Sequence, residues 1–233
     1  MNRPTKRGSR FALLVAALAA WWVGFYQFAP WVQRVSGFRH VVDKTTQTIV
    51  GHWFTWQLPG VVVCVAVWLV GARFGLMPSF LASFRSGASV RRVVTTGLAA
   101  SVVLLVLTIA IGAALGGKFG FHPYFPKMLG DLISNMYEEI VHRGLIFCAF
   151  YGLAAGDTFP LAGKLDRAGI VVGTIGSCAV FAAGHGQYPI ALRVVLGVIA
   201  IVFVWPWVRA RSLWAPWIPH TLGDVIGDTI LKL

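Results

Sequence analysis

Residues 128–153 read MLGDLISNMYEEIVHRGLIFCAFYGL, an apolar stretch that holds the only two glutamates of the chain, Glu138 and Glu139. A membrane-spanning helix needs about 20 mostly apolar residues, so this stretch is long enough to cross a bilayer. Ionisable side chains at membrane depth are costly and rare, and they usually mark functional positions. The stretch therefore predicts a spanning helix that carries a polar site.

The remaining sequence has the composition of a membrane protein. Among its 233 residues, AVILMFWYC make up 57% and DEKR only 12%, against about 25% charged residues in a typical soluble domain. Six further apolar runs reach spanning length, near residues 11–32, 53–72, 93–116, 169–188, 190–208 and 212–231. We therefore expect an all-α polytopic membrane protein with about seven transmembrane helices, forming one membrane domain.

Basic residues predict the orientation of the chain. The net charge is +12, and most Lys and Arg residues fall in alternate loops on the side of the amino terminus, which is predicted to be cytoplasmic. These short basic stretches lie between apolar runs and suit an anionic leaflet, so no nucleic-acid partner is expected. We predict an integral protein of a prokaryotic plasma (inner) membrane. A cleaved signal peptide is an alternative for the first span, since Ala17-Leu18-Ala19 has a small-x-small form.

The glutamates of the fourth span are predicted to differ in role. Glu139 and Arg143 are spaced i,i+4 with the acid first, the favourable order for an ion pair on a helix. Glu138 is left without a dedicated partner unless His142, also at i,i+4, takes it. An unpaired carboxylate in this setting is a candidate general base. The alternative is that the whole cluster is a packing network between helices.

Two later spans carry further polar side chains. His185 follows Phe181 at i,i+4 on the fifth span, and His220 precedes Asp224 at i,i+4 on the seventh. A carboxylate one turn from an imidazole can fix its tautomer and orientation, as it does in catalytic and metal sites. The rise per residue allows Glu138, His220 and Asp224 to meet near the middle of the bilayer.

These residues resemble the CPBP family of intramembrane endopeptidases, which includes CAAX prenyl proteases and bacteriocin-processing proteins. Its pattern of a double glutamate with arginine, then Phe-x-x-x-His, then His-x-x-x-Asn or Asp, matches three spans in order. The resemblance covers about residues 128–231; residues 1–127 are amino-terminal transmembrane helices without a recognised motif, and 128–233 are the catalytic helices.

The resemblance implies hydrolysis of a peptide bond by a glutamate-activated water. Glu138 would be the base, His185 would help to hold the water, and His220 with Asp224 would stabilise the oxyanion. An ionised Asp224 would repel that oxyanion, so either Asp224 is protonated or it orients His220. Glu139 and Arg143 would form a structural ion pair. The substrate would be a membrane-embedded or lipid-modified peptide, and no cofactor would be required.

Alternative chemistries remain open. Glu138, His185 and His220 would also make a His₂Glu zinc site with an open position for water, although the His-Glu-x-x-His signature is missing. A non-catalytic immunity or scaffold protein could use the same fold, and a transporter could use intramembrane acids as a proton relay. Catalysis by Ser177 or Cys178 with His185 is disfavoured, since eight residues of helix separate Ser177 from His185 by about 12 Å.

Overall fold

The computed structural model describes residues 3–36, 57–85, 88–114, 116, 118–121, 123 and 125–232. Residues 53–56, where the second predicted span begins, lie outside this described part. The first helical run consists of α1 (Arg3–Val23), the π-helical turn π1 (Gly24–Phe28) and α2 (Ala29–Ser36). It is followed by α3 (Leu58–Arg73), the short α4 (Phe80–Phe84) and α5 (Val90–Ala114).

The carboxyl-terminal half contains the remaining helices. The central rod comprises α6 (Phe125–Glu139), the π-helix π2 (Ile140–Phe147) and α7 (Cys148–Ala155) without a break. It is followed by α8 (Arg167–Gly184), α9 (Ile190–Ala210) and α10 (Trp214–Ile230). A two-residue antiparallel ladder pairs β1 (Lys118–Phe119) with β2 (Leu231–Lys232).

The all-α class predicted from the sequence is confirmed. Each of the predicted spans overlaps a helix or a continuous helical run, but the spans predicted at 128–153 and 212–231 are not among the stretches long and apolar enough to cross a membrane. By length and hydropathy, four helical stretches of the described chain can cross a membrane, and α3 is a shorter apolar helix. The count of seven transmembrane helices is therefore not confirmed. These four stretches are Arg7–Val35, Val90–Ala114, Arg167–Gly184 and Ile190–Ala210.

The centre of the fold is the π-helix π2, which is wholly buried. All eight of its residues are buried, and α1, α3 and α8 pack around it. Gly144 makes the close approach of α3 possible, because a Cβ atom there would lie 2.0 Å from the ring of Trp68. Trp68 is itself held by a hydrogen bond from its indole N–H to the carbonyl of Pro78, at 2.8 Å.

Packing between distant parts of the chain brings the motif-bearing helices together. Helix α8 lies between α7 and α9, while α10 packs on α5 and α6. The indole N–H of Trp217 on α10 donates to the carbonyl of Leu132 on α6, at 2.7 Å. This contact sets α10 beside the rod near the glutamates.

The fifth predicted span ends earlier than the sequence indicated. Helix α8 stops at Gly184, and His185 is its carboxyl cap rather than a residue within the span. The Nδ1–H group of His185 donates to the carbonyl of Phe181, at 2.8 Å, which satisfies one of the last carbonyls of the helix. His185, which the sequence predicted to help hold the water, therefore also ends the helix.

Candidate active site

Glu139 and Arg143 form a fully buried pair on the central rod. The Arg143 Nη1 atom lies 3.3 Å from Oε1 of Glu139, and both side chains are 0% exposed. The guanidinium also donates to the carbonyl of Ala200, at 3.3 Å, and its central carbon lies 5.0 Å from the ring centroids of Phe181 and of Phe203. A buried charge requires such compensation, so this pair organises the helices around the rod.

His220 of α10 connects this pair to the second glutamate. Its Nδ1–H donates to Oε1 of Glu139, at 2.6 Å, and its ring stacks on Phe203 with centroids 4.4 Å apart. The Nε2 atom faces the other way, 3.6 Å from Oε2 of Glu138 and 3.9 Å from Oδ2 of Asp224. Both ring nitrogens thus face carboxylates, which favours a ring that donates from each.

The sequence predicted the His220–Asp224 pair but not the shorter contact with Glu139. Glu139 and His220 are 81 residues apart, so helical spacing contains no information about their meeting. The orienting contact on Nδ1 comes from Glu139, whereas Asp224 approaches Nε2, the nitrogen that faces Glu138. Asp224 and Glu138 therefore share one side of the imidazole.

Glu138 differs from its neighbour in its access to open space. Its side chain is 30% exposed, and it lines two cavities of about 430 and 460 Å³. His185 and Gln187 line both cavities as well, and His220 and Asp224 line the second. Glu138 and His185 thus lie where the two cavities adjoin. His142 lines the first cavity and packs edge-on against Phe181, and among the described residues it forms no hydrogen bond or ion pair with Glu138.

His185 presents one defined ring nitrogen to these cavities. Because its Nδ1–H donates to the carbonyl of Phe181, the neutral ring carries its lone pair on Nε2. The ring packs against Phe181 at 4.5 Å and stacks with Tyr188 at 6.1 Å between centroids. These contacts hold the imidazole in one orientation.

Amino-terminal helices supply a wall that the sequence reasoning missed. Trp21, Phe25, Tyr26 and Gln57 line the first cavity opposite Glu138. The hydroxyl of Tyr26 donates to the carbonyl of Gly184, at 3.3 Å, and the amide of Gln57 donates to the hydroxyl of Ser134. Aromatic residues near a span end are also typical of bilayer interfaces, so no sequence signal distinguished this role.

Ser177 has a structural role in this arrangement. It is fully buried, and its hydroxyl donates to the carbonyl of His142 on π2, at 2.9 Å. That carbonyl lies in a π-helical segment, whose hydrogen bonds differ from those of an α-helix, and π-helical turns occur frequently at functional sites. Ser177 thus helps to fix the rod beside the site.

Glu138, His185 and His220, the residues of the alternative zinc site, line a common cavity. In the part of the chain that is described, no group of three or more His, Cys, Asp or Glu side chains is arranged to hold a metal ion.

A family model described as type II CAAX prenyl endopeptidase, Rce1-like, matches residues 99–226, more than half of the chain. The chain belongs to this family. The match confirms the resemblance read from the three motifs and gives the Rce1-like chain an intramembrane CAAX protease fold. It begins within α5 and so includes Leu104, Thr108 and Gly112, which line the second cavity. No curated protein and no solved structure matches the chain.

Proposed function

We propose that this protein is an intramembrane endopeptidase that hydrolyses a peptide bond by means of a water activated by Glu138. The observation that carries the proposal is the position of Glu138, which lines two adjoining cavities together with His185 and lies near Nε2 of His220. Membership of the Rce1-like family supports the same chemistry.

In this mechanism, water binds between Glu138 and Nε2 of His185. Glu138 takes a proton from the water as the oxygen attacks the carbonyl carbon of the peptide. Nε2–H of His220 donates to the oxyanion that forms. The C–N bond then breaks, and the proton held by Glu138 passes to the leaving amine, which regenerates the carboxylate.

The remaining polar residues act through these groups. Glu139 accepts the Nδ1–H of His220 and so keeps Nε2 directed at the reaction centre. Arg143 balances the charge of Glu139. Asp224, 3.9 Å from Nε2, acts as a second orienting group for the same imidazole. A protonated Asp224 would serve the oxyanion directly as a donor.

The substrate class follows from the surroundings of the site. The second cavity is lined largely by apolar side chains of α5, α8 and α9 and meets the polar residues at Glu138 and His185. Such a cavity suits a peptide whose lipid or apolar end lies among the helices while its scissile bond reaches the carboxylate. We propose a membrane-associated peptide carrying a lipid near its carboxyl end.

The test uses the purified full-length protein in liposomes. The wild type and Glu138→Gln are each given a farnesylated peptide ending in a C-a-a-X sequence, and the same peptide without the lipid. We expect mass spectrometry to detect two peptide products only with the wild type, and mainly from the lipidated substrate. Equal cleavage by the two proteins would disprove the role of Glu138, and no cleavage of either peptide by a folded wild type would favour the non-catalytic scaffold.

Metal dependence is tested by measuring the same peptide cleavage before and after removal of metal ions. The mechanism above predicts that activity survives extensive dialysis against a chelator. Loss of activity on chelation, with recovery on adding zinc, would instead support the set Glu138, His185 and His220 as ligands.

A further inference from the structure

A separate cavity of about 380 Å³ lies at the end of the molecule where α5 begins and α9 ends. Ligand pockets commonly span about 300–1,000 Å³, so this one suits a small group. Arginine is the most frequent residue type in its lining. The lining residues are Arg92, Thr96, Leu165, Val208, Arg209 and Arg211.

The three arginines lack a carboxylate partner. Among the described residues, no Asp or Glu lies within ion-pair distance of Arg92, Arg209 or Arg211. Asp166, which adjoins the lining residue Leu165, accepts a hydrogen bond from the backbone N–H of Gly169, at 2.7 Å, as the cap of α8. Arg92 and Arg209 are exposed and Arg211 is half-buried, so water screens part of the repulsion among the three guanidinium groups, and an anion between them would remove the rest.

Helix dipoles do not account for this arrangement. Arg209 and Arg211 lie at the carboxyl end of α9, where positive charge is favourable. Arg92 lies in the first turn of α5, the positive end of that helix, where a further positive charge is unfavourable. A shared anionic ligand would account for Arg92, Arg209 and Arg211, whereas the helix dipoles account only for Arg209 and Arg211.

The backbone at Arg211 sets the direction of its side chain. Its φ angle is 55°, which makes it the one non-glycine residue with positive φ in the described chain. The left-handed conformation is unfavourable for an ordinary residue, and glycine usually occupies this position after a helix. Here the strained residue directs a guanidinium across to the loop before α8, where Nη2 donates to the carbonyl of Gly163, at 2.6 Å.

Two exposed tryptophans flank the end of α9 that lines the cavity. Trp205 is 45% exposed and Trp214 is 44% exposed, on either side of the end of α9. Exposed tryptophans at helix ends mark the interface between hydrocarbon and water. Basic pockets between transmembrane helices at this level bind the headgroups of anionic lipids.

We propose that Arg92, Arg209 and Arg211 form a binding site for a phosphate group, supplied by the headgroup of an anionic phospholipid or by a soluble phosphate ester. Arginine suits this ligand because its planar fork of N–H donors pairs with phosphate oxygens. Thr96 also lines the cavity, but its hydroxyl donates to the carbonyl of Arg92, at 2.7 Å, so the arginines carry the proposed site. The site is distant in sequence from Glu138 and does not depend on the proposed peptidase activity.

The test measures lipid binding by the delipidated full-length protein in neutral detergent, using native mass spectrometry. The probes are phosphatidylglycerol, phosphatidylcholine and, as a soluble competitor, glycerol 3-phosphate. The test variant is Arg92→Gln with Arg209→Gln, which leaves the bond from Arg211 to Gly163 intact. The control is Arg91→Gln, the exposed neighbour of Arg92 that lies outside the cavity lining.

We expect the wild type to bind phosphatidylglycerol more tightly than phosphatidylcholine. The double variant should bind it about 30-fold more weakly, at about 1 kcal/mol per arginine, and the control should be unchanged. Competition by glycerol 3-phosphate would identify a soluble ester as a ligand, and its absence would favour the lipid headgroup. Equal binding of the two lipids, or an equal loss in the control and the double variant, would overturn the proposal. An unchanged melting temperature in the double variant verifies its fold.

Discussion

Glu138 and Glu139 are consecutive residues in very different surroundings. Glu139 is completely buried, lies 3.3 Å from Arg143 and accepts a 2.6 Å hydrogen bond from His220. Glu138 is 30% exposed, lies between two cavities and has no contact as short as these among the described side chains. One glutamate is therefore held by the fold, whereas the other faces open space.

The largest effect that this comparison predicts is on catalysis. Glu138→Gln keeps the shape of the side chain but removes the base, so we expect kcat for peptide hydrolysis to fall by about 10²–10⁴-fold. Because the side chain is partly exposed, the melting temperature should remain close to that of the wild type. A steady-state assay in liposomes measures kcat, and a thermal melt measures the melting temperature. Substantial residual activity in Glu138→Gln would remove the distinction between the two glutamates.

A large effect on stability is expected from the other glutamate. Glu139→Gln leaves Arg143 buried without its counter-charge, which should lower the free energy of unfolding by about 3–5 kcal/mol. Unfolding of the detergent-solubilised protein measures this change. Glu139→Leu combined with Arg143→Met removes both charges and should recover part of the loss. If Glu139→Gln is as stable as Glu138→Gln, the buried pair does not organise the fold as described.

His185 has two proposed roles, capping α8 and positioning water, which a single substitution can separate. His185→Asn retains an N–H donor for the carbonyl of Phe181 but lacks the Nε2 atom. We therefore expect near-normal stability and a kcat lower by about 100-fold, since Nε2 helps to position the water. Thermal melts and steady-state kinetics of the same samples test these two expectations. His185→Ala serves as the variant that loses both the hydrogen bond to Phe181 and the Nε2 atom. If His185→Asn has a kcat near that of the wild type, His185 only caps α8 and does not position the water.

The smallest effect is expected at Asp224, which lies 3.9 Å from His220. Asp224→Asn keeps the size of the side chain and adds an amide that can donate to an oxyanion, so kcat should stay within about tenfold of the wild type. Asp224→Ala lacks both the donor and the orienting contact and should be less active than Asp224→Asn. Kinetics of the two variants, side by side, check this order. A strong and equal loss of activity in both variants would show that a negative charge is needed at this position, and the reverse order would contradict a donor role for residue 224.

Local spacing accounts for the site contacts that were predicted correctly. Glu139 and Arg143 are spaced i,i+4, and their predicted ion pair is present even though π2 begins between them. His220 and Asp224 have the same spacing and also approach each other. Such contacts need only one helix, so the sequence is sufficient to indicate them.

Contacts between helices were not predictable in the same way. The bond from His220 to Glu139 and the cavity wall made by Tyr26 and Gln57 depend on how separate helices pack. The end of α8 at Gly184 was also missed, although the polar and turn-forming residues after it, His185-Gly186-Gln187 and then Pro189, already interrupt the apolar run. An apolar pattern indicates which residues are shielded from water, but it does not indicate which helices pack against one another.

The amino-acid sequence was sufficient to identify an all-helical membrane protein with two adjacent glutamates and three family motifs in order. Composition and helical periodicity are local properties, and they suffice for those conclusions. The packing of the helices was needed to show that Glu139 is enclosed with Arg143 and His220 while Glu138 adjoins open space. Two adjacent residues on a helix point in directions about 100° apart, and the helices that pack on each side set which carboxylate meets water.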